Sequence, residues 1–425
     1  MNKSSAALGL IGAMVLAPSV ILPMSAHAAT AVIMGPTFIP DPSADPDYLR
    51  IVAKDYVDAV TNCKIGNCAV KPLVTPAELW PITGLNDLIF DESIVAGLEL
   101  LTAEIEAQIA AAATEPVVFF GYSQSSTLLT LAKIDLADLA TADKSRLVFV
   151  LLANPNRPNG GLLGRAAPDP GVTAAVATPT DTGIPTIDIA FQYDAVADYP
   201  AYPSNVLSLL NTLAAARIHS GSATTLNGYT EAELAAAITD PANRQIYGDT
   251  VYITIPAKTL PLVDLLRAFG AETGLSDLTT PLADLIEPTL RSLVELGYDR
   301  TAYGHAQPFG PLPANKQLQL DALTTAATSE GLDAVISALK QGALGPSSGS
   351  VNDGWQSGGV SRATLNSRSR TASTTSVALS TVPNKQADAV AAVSRANRGA
   401  PSATGHGSVA AASKAAIAKR QSATA

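Results

Sequence analysis

The strongest sign of chemistry in this sequence is a serine at the point where a buried strand should turn into a helix. Ser123 follows the apolar run 116–120, and apolar residues at helical spacing begin two positions after it. Gly121 and Ser125 flank it, so the pattern is G-x-S-x-S, close to the G-x-S-x-G of a nucleophile elbow. Small residues are required at both positions because the sharp turn brings its backbone close to a neighbouring strand and helix. The pattern therefore predicts that Ser123 is a nucleophile.

A serine hydroxyl becomes a useful nucleophile when a histidine removes its proton and a carboxylate orients that histidine. The sequence has four histidines, of which His27 lies in the N-terminal apolar region and His406 near the C-terminus. The candidates for the base are therefore His219 and His305. The chain order Ser, acid, His of α/β-hydrolases favours His219 and leaves His305 as the alternative.

The carboxylate and the oxyanion donors should lie in loops that follow core strands. Asp194 comes directly after a predicted strand, and Asp198, four residues on, is the alternative. The backbone N–H of Gln124, at the start of the helix after the elbow, is one candidate donor to an oxyanion. The loop after the first strand should supply the second. Thr37 is the candidate there, because it offers an amide and a hydroxyl, whereas Pro36 has no N–H.

The pattern of apolar residues predicts the elements that must hold this site. Hydrophobic residues form 47% of the 425-residue chain and charged residues 15%, a globular composition. Short apolar runs alternate with segments of helical spacing, which predicts an α/β fold of α/β-hydrolase type, a mostly parallel sheet with helices on both faces. The predicted strands are 31–34, 116–120, 147–153, 186–193 and 251–255, and the predicted helices are 46–60, 93–112, 125–139, 260–296 with breaks at its prolines, and 314–340.

The two ends of the chain differ in composition from its centre. Residues 1–28 carry Lys3, a short apolar stretch and a small-x-small ending, which predicts a cleaved secretory signal peptide. Residues 29–300 are predicted to form the catalytic domain, 301–344 a helical extension and 345–425 a disordered, low-complexity basic tail. No later segment is long and apolar enough to span a bilayer. The sequence thus predicts a secreted or envelope protein whose mature form has no transmembrane segment.

Cysteines and charge set the remaining expectations. Cys63 and Cys68 are the two cysteines, and in an exported protein they predict a small disulfide loop rather than a metal site, because no further ligands lie nearby. No Gly-rich nucleotide loop or zinc-type helix motif occurs, so no cofactor, metal or nucleic-acid partner is predicted. The net charge is −10, yet residues 346–425 carry nine Lys and Arg against two Asp. Such a tail would be attracted to an anionic envelope surface.

With these residues identified, the chain resembles the PE-PPE domain family of mycobacterial serine hydrolases, relatives of cutinase-like α/β-hydrolases. The resemblance extends over about residues 31–298, and the predicted signal peptide takes the place of the helical PE or PPE segment that much of the family has at its N-terminus. It implies esterase activity on acyl chains, carried by Ser123, an Asp of the Tyr-Asp segment and a His. The segments that carry the resemblance are 121–125, 154–161, 192–194 with 197–200, and 260–267.

Three functions are consistent with the sequence. The leading hypothesis is an exported serine esterase or lipase that hydrolyses fatty acyl esters through an acyl-enzyme. The resemblance implies an alternative, because some family members with a signal peptide look like acyltransferases that move fatty acyl groups among trehalose glycolipids. The third hypothesis is a non-catalytic envelope protein that binds anionic surfaces through its tail.

Overall fold

The computed structural model of the chain describes most of the central region. The described residues are 29–64, 66–111, 115–165 and 174–325. The predicted signal peptide, 1–28, and the predicted tail, 345–425, lie outside them. Of the helix predicted over 314–340, residues 314–325 are described, and they are helical.

Seven strands form one sheet, in the order β2-β1-β3-β4-β5-β7-β6. Neighbouring strands are parallel except for β6, which runs antiparallel to β7. The α/β architecture predicted from the sequence is thus confirmed. The strands are β1 (Ala29–Ile33), β2 (Cys68–Pro72), β3 (Val117–Tyr122), β4 (Leu147–Leu152), β5 (Thr186–Phe191), β6 (Arg244–Tyr247) and β7 (Thr250–Ile255).

Helices cover both faces of the sheet, because successive side chains of the central strands point to opposite sides. In β3, Val118 and Phe120 belong to one apolar cluster, whereas Val117 and Phe119 belong to another. The helices are α1 (Pro46–Ile51), a π-helical turn (Val52–Val57), α2 (Asp58–Val60), α3 (Phe90–Ala110), α4 (Gln124–Asp135), α5 (Thr141–Lys144), α6 (Val206–Ala214), α7 (Ala216–Gly221), α8 (Glu231–Thr239), α9 (Pro261–Thr273) and α10 (Ser276–Glu295).

The predicted breaks at prolines were wrong for α10, which continues through Pro281 and Pro288. Both prolines are exposed, so the carbonyl groups that lose an N–H partner lie on the wet side of the helix and can bind water. The break between α9 and α10 lies instead at Gly274, whose φ of 74° is left-handed. Pro261 behaves as expected, since it occupies the first turn of α9.

Candidate active site

Ser123 lies at the sharp turn between β3 and α4. Its backbone has φ 56° and ψ −115°, a conformation rarely adopted by a residue with a side chain. The turn is held because the Ser123 amide donates to the carbonyl oxygen of Leu152 in β4 at 3.0 Å. A Cβ atom at Gly121 would lie 2.5 Å from the carbonyl oxygen of Ser125, so glycine is required there. The turn places the Ser123 hydroxyl at the amino end of α4.

Ser125, the residue that departs from the usual motif, serves the turn through its hydroxyl. The Ser125 Oγ accepts a hydrogen bond from the amide of Tyr122 at 2.8 Å and donates one to the Tyr122 carbonyl oxygen at 3.1 Å. Its side chain is buried. A serine at this position therefore satisfies backbone groups at the end of β3 that a glycine would leave without a side-chain partner.

The side chains of Ser123, His219 and Asp194 form a continuous hydrogen-bonded chain. The Nε2 atom of His219 lies 2.8 Å from the Ser123 Oγ. On the other side of the ring, Nδ1 lies 2.9 Å from Oδ1 and 3.0 Å from Oδ2 of Asp194. A carboxylate only accepts hydrogen bonds, so Nδ1 carries a proton and a neutral imidazole presents Nε2 as the acceptor for the serine proton. The arrangement can deprotonate Ser123.

Asp194 is fixed in the tight turn after β5. Its Oδ1 accepts hydrogen bonds from the amides of Val196 at 2.8 Å and Ala197 at 3.1 Å, besides the contact with His219. The side chain is fully buried, and the preceding residue, Tyr193, has a positive φ of 70°. The carboxylate is therefore held in one orientation and is well placed to stabilise a protonated His219 ring.

The backbone around His219 is anchored from two directions. The Tyr122 hydroxyl, one residue before the serine, donates to the His219 carbonyl oxygen, and the two rings lie 5.9 Å apart. The side chain of Asn227, in the loop after α7, donates to the carbonyl oxygen of Ile218 at 3.1 Å. The His219 side chain is 5% exposed, so the ring is almost completely enclosed by the protein.

The two alternative triad residues have other neighbours. Asp198 accepts hydrogen bonds from the amide of Tyr193, at 2.7 Å, and from the guanidinium of Arg300. His305 is exposed, and its ring lies 4.4 Å from that of Tyr247. Among the described residues neither of them hydrogen-bonds to the serine or to its histidine.

The two candidate oxyanion donors come after β3 and β1, which are neighbours in the sheet. Gln124 begins α4, where the amide dipoles favour negative charge, and its side chain donates to the carbonyl oxygen of Glu78 at 2.8 Å. Thr37 follows β1, the neighbour of β3 in the sheet, and is 9% exposed. Within the described part of the chain neither its amide nor its hydroxyl has a hydrogen-bond partner. Both donors are thus available to a ligand near Ser123.

A buried polar cluster that was not predicted from the sequence lies near the carboxyl edge of the sheet. Arg157 is fully buried, with its Nε 3.5 Å from Asp188 Oδ1 and its Nη2 donating to Thr254 at 2.9 Å. Asn154 donates to the other oxygen of Asp188 at 2.8 Å. Burial raises the pKa of Asp188. Asp188 interrupts the apolar sequence of β5, and a buried acid of this kind could have predicted a buried basic or polar partner.

The remaining sequence expectations concern the disulfide and the membrane. Cys63 and Cys68 are joined by a disulfide, with 5.0 Å between their Cα atoms, which links the end of α2 to the start of β2. None of the helices in the described ranges combines the length and apolar character that crossing a bilayer requires.

The chain is similar in sequence to several mycobacterial proteins. Esterase PE16 of Mycobacterium tuberculosis (strain ATCC 25618 / H37Rv) is 37% identical over 295 residues, which are 67% of this chain and 51% of PE16. SL1278 acyltransferase Chp1 of the same strain is 29% identical over 244 residues, 56% of this chain and 54% of Chp1. The chain spans about half the length of the curated relatives it matches.

A solved structure and a family model complete the comparison. A novel cutinase-like protein from Cryptococcus sp. is 19% identical, with a TM-score of 0.28 over 41% of this chain and 81% of that one. The model of the PE-PPE domain matches residues 67–299, which is more than half of the chain. The chain therefore belongs to the PE-PPE domain family.

Proposed function

We propose that this protein is a serine hydrolase that cleaves carboxylic esters of fatty acyl chains. The observation that carries the proposal is the chain of contacts from the Ser123 Oγ through His219 Nε2, at 2.8 Å, and Nδ1 to the buried Asp194 carboxylate. The relative PE16 bears the name esterase, which supports the same reaction class. Its name does not specify a substrate. A carboxylic ester fits the serine nucleophile and the candidate donor amides, and the resemblance to the PE-PPE hydrolases implies fatty acyl chains.

Hydrolysis would proceed through an acyl-enzyme. Ser123 Oγ attacks the ester carbonyl carbon while its proton passes to His219 Nε2, and the buried Asp194 stabilises the imidazolium. The amides of Gln124 and Thr37 donate to the carbonyl oxygen as it becomes negative. The alkoxide then leaves and takes the proton from His219. Water, deprotonated by the same ring, attacks the acyl-enzyme, and the acid departs as Ser123 regains its proton.

Transfer of the acyl group to a sugar hydroxyl is the second candidate. It uses the same acyl-enzyme but replaces water with an alcohol, and it is favoured by the relative Chp1, which is named an acyltransferase. The low exposure of Ser123 and His219, 8% and 5%, would restrict water at the intermediate. Incubation with trehalose esters, followed by mass spectrometry, separates transferred acyl chains from free fatty acid.

The test of catalysis is a matched set of substitutions assayed with p-nitrophenyl esters. Ser123→Ala should lower kcat by about 10⁴-fold or more. His219→Gln should show a comparable loss and His305→Gln almost none. Asp194→Asn should lower kcat by about 10³–10⁴-fold, whereas Asp198→Asn should cost far less. Equal activity of Ser123→Ala and the unsubstituted protein, or a fluorophosphonate probe that does not label Ser123, would point to the non-catalytic alternative.

We also propose that the protein is exported, with residues 1–28 as the signal peptide. The proposal rests on the sequence pattern of that segment. Expression in a mycobacterial host, with N-terminal sequencing of the protein from the envelope and the medium, should give a mature chain that begins at Ala29. A full-length N-terminus in the cytoplasm would contradict it.

A further inference from the structure

Helix α6 carries its polar and apolar residues on the opposite sides from those of an ordinary surface helix. A surface helix usually buries an apolar stripe and exposes polar side chains. In α6 the polar side chains are buried, and three of the five large apolar ones are 63%, 44% and 66% exposed, whereas Leu207 and Leu209 are partly buried. The buried positions are Ser208, Asn211 and Thr212, and the exposed ones, spaced four and three residues apart, are Val206, Leu210 and Leu213.

The inward polar side chains are bonded to the protein, so the orientation of α6 is fixed. Ser208 Oγ donates to the carbonyl oxygen of Val294 at 2.6 Å. Thr212 Oγ1 lies 3.2 Å from the hydroxyl oxygen of Tyr298, and the side-chain oxygen of Asn211 accepts from the amide of Leu262 at 3.0 Å. Rotating the helix to bury its leucines would break these bonds. The apolar face is therefore held towards solvent.

The hairpin of α9 and α10 exposes more apolar surface on the same helical cluster. These side chains are 37% to 56% exposed and lie four or three residues apart on each helix. They are Leu265 and Phe269 on α9, and Leu278, Leu282 and Leu285 on α10. Nearby Arg267 is already paired with Asp264, Asp284 and Glu287. The hairpin thus offers apolar area without a free cation beside it.

This cluster adjoins the candidate active site. A single residue, Ala215, separates α6 from α7, which carries His219. Helix α9 follows the carboxyl end of β7, at the edge of the sheet where β3 leads to Ser123, and α6 packs against both α9 and α10. The apolar helices and the serine therefore lie at one end of the sheet.

We propose that the outward faces of α6 and of the α9–α10 hairpin dock the protein onto an uncharged lipid surface. The proposal deepens the proposed function, on which it rests, by naming a lipid surface as the source of the acyl ester. The lack of unpaired charge on these faces indicates that the lipid surface is an uncharged one. The exposed face of α6 has no charged residue, and the arginines of the hairpin are ion-paired. Docking should depend on buried apolar area rather than on lipid charge.

The test measures binding of the mature chain, residues 29–425, to vesicles of phosphatidylcholine in about 1 M salt, where the Debye length is about 3 Å and charge attraction is screened. The test variant is Leu210→Gln with Leu213→Gln. The control is Val95→Gln with Leu100→Gln on α3, at 36% and 46% exposure, so that Leu100 closely matches Leu210 at 44%. Circular dichroism and thermal unfolding establish that each variant folds.

We expect the α6 variant to lose vesicle binding by about tenfold or more, from the apolar area removed, and the α3 control to bind like the unsubstituted protein. Ser123→Ala should bind vesicles normally, so failure of hydrolysis and failure of docking are distinguishable. No vesicle binding by the unsubstituted protein, or equal binding by the α6 variant, would overturn the proposal. So would an oligomer in size-exclusion chromatography that α6 substitution dissolves without changing vesicle binding, because a second copy would then cover the face.

Discussion

At the scale of single residues, the elbow combines a strained backbone with side-chain hydroxyls that hold it. The positive φ of Ser123 costs on the order of 1–3 kcal/mol for a residue with a side chain. Ser126 Oγ donates to the carbonyl oxygen of Gly121, at 2.8 Å, and lies 3.1 Å from that of Leu152. Ser125 bonds both polar backbone groups of Tyr122. The strained residue therefore lies next to two serines, Ser125 and Ser126, whose hydroxyls bind backbone groups near the ends of β3 and β4.

Substituting Ser125→Ala should lower the stability of the protein. The amide of Tyr122 would lose a buried acceptor, which lowers the free energy of unfolding by about 1–3 kcal/mol. Urea denaturation followed by fluorescence measures the change. The matched control is Ser292→Ala, an exposed serine that also bonds a backbone carbonyl, and it should stay within about 0.5 kcal/mol. Equal effects of the two substitutions would mean that the Ser125 hydroxyl does not hold the elbow.

We expect Tyr122 to act as a positioning residue, because its hydroxyl donates to the backbone carbonyl oxygen of His219 and makes no hydrogen bond to Ser123. Tyr122→Phe should reduce kcat by about five- to tenfold, as expected for one hydrogen bond of about 1 kcal/mol, with KM unchanged. The control is Tyr56→Phe, which removes a similar bond to the carbonyl oxygen of Ser222 three residues on. It should lower stability but leave kcat nearly intact. If both variants lose only stability, Tyr122 has no role in orienting the histidine.

The contacts among Ser123, His219 and Asp194 were predictable from the sequence because few residues competed for these positions. Only His219 and His305 were credible bases, and the chain order favoured the first. The support given by Tyr122 was not predictable, since its contact with His219 joins positions 97 residues apart. The same holds for Arg157, whose burial depends on strands far away in the sequence.

At the scale of elements, burial decided what the sequence could predict. Strands β3, β4, β5 and β7 are buried on both faces, so they read as continuous apolar runs and were predicted within a few residues. The edge strands β2 and β6 were missed, because half or more of their side chains are exposed and polar residues interrupt their pattern. Helix α6 was not predicted either. Its buried side includes the polar residues Ser208, Asn211 and Thr212, whereas several of its apolar residues face solvent.

A buried ion pair ties the elbow helix α4 to β7. Lys133 is fully buried, and its ammonium lies 2.6 Å from Asp249 Oδ1. Lys133→Met should lower the free energy of unfolding near neutral pH by about 2–4 kcal/mol, because one charge loses its partner. The exposed pair of Lys71 with Glu104 is the control, and Lys71→Met should cost less than about 1 kcal/mol.

The effect of Lys133→Met should shrink in acid. Burial acts to raise the pKa of Asp249, but the hydrogen bond and charge of Lys133, with the hydroxyls of Thr250 and Thr182, lower it below the usual 3.8. A carboxyl whose pKa is lower in the folded state contributes stability above its unfolded value and loses it as the pH falls through the folded value. Urea denaturation at neutral pH and below about pH 4 checks this. A gap between variant and unsubstituted protein that stays constant with pH would exclude the pair as its cause.

Across the molecule, the candidate active-site residues and the apolar helices lie at one end of the sheet, while an excess of basic over acidic residues lies elsewhere in the sequence. The net charge of the chain is −10, although residues 346–425 hold nine basic and two acidic side chains. The triad, the oxyanion candidates and the docking helices all belong to residues 29–300. Catalysis and charge-driven attachment should therefore be separable by truncation.

Removal of residues 345–425 is expected to leave the hydrolysis of a soluble p-nitrophenyl ester and the thermal unfolding of the protein unchanged. Binding to vesicles with an anionic lipid at low salt should instead fall by about a hundredfold or more, since each basic residue near such a surface contributes about 1 kcal/mol. A full-length control in which seven of the nine basic residues are replaced by Gln should behave like the truncated protein. If the truncated protein keeps its salt-sensitive binding, the attraction comes from the catalytic domain, and if it loses hydrolysis, the segment contributes to the site.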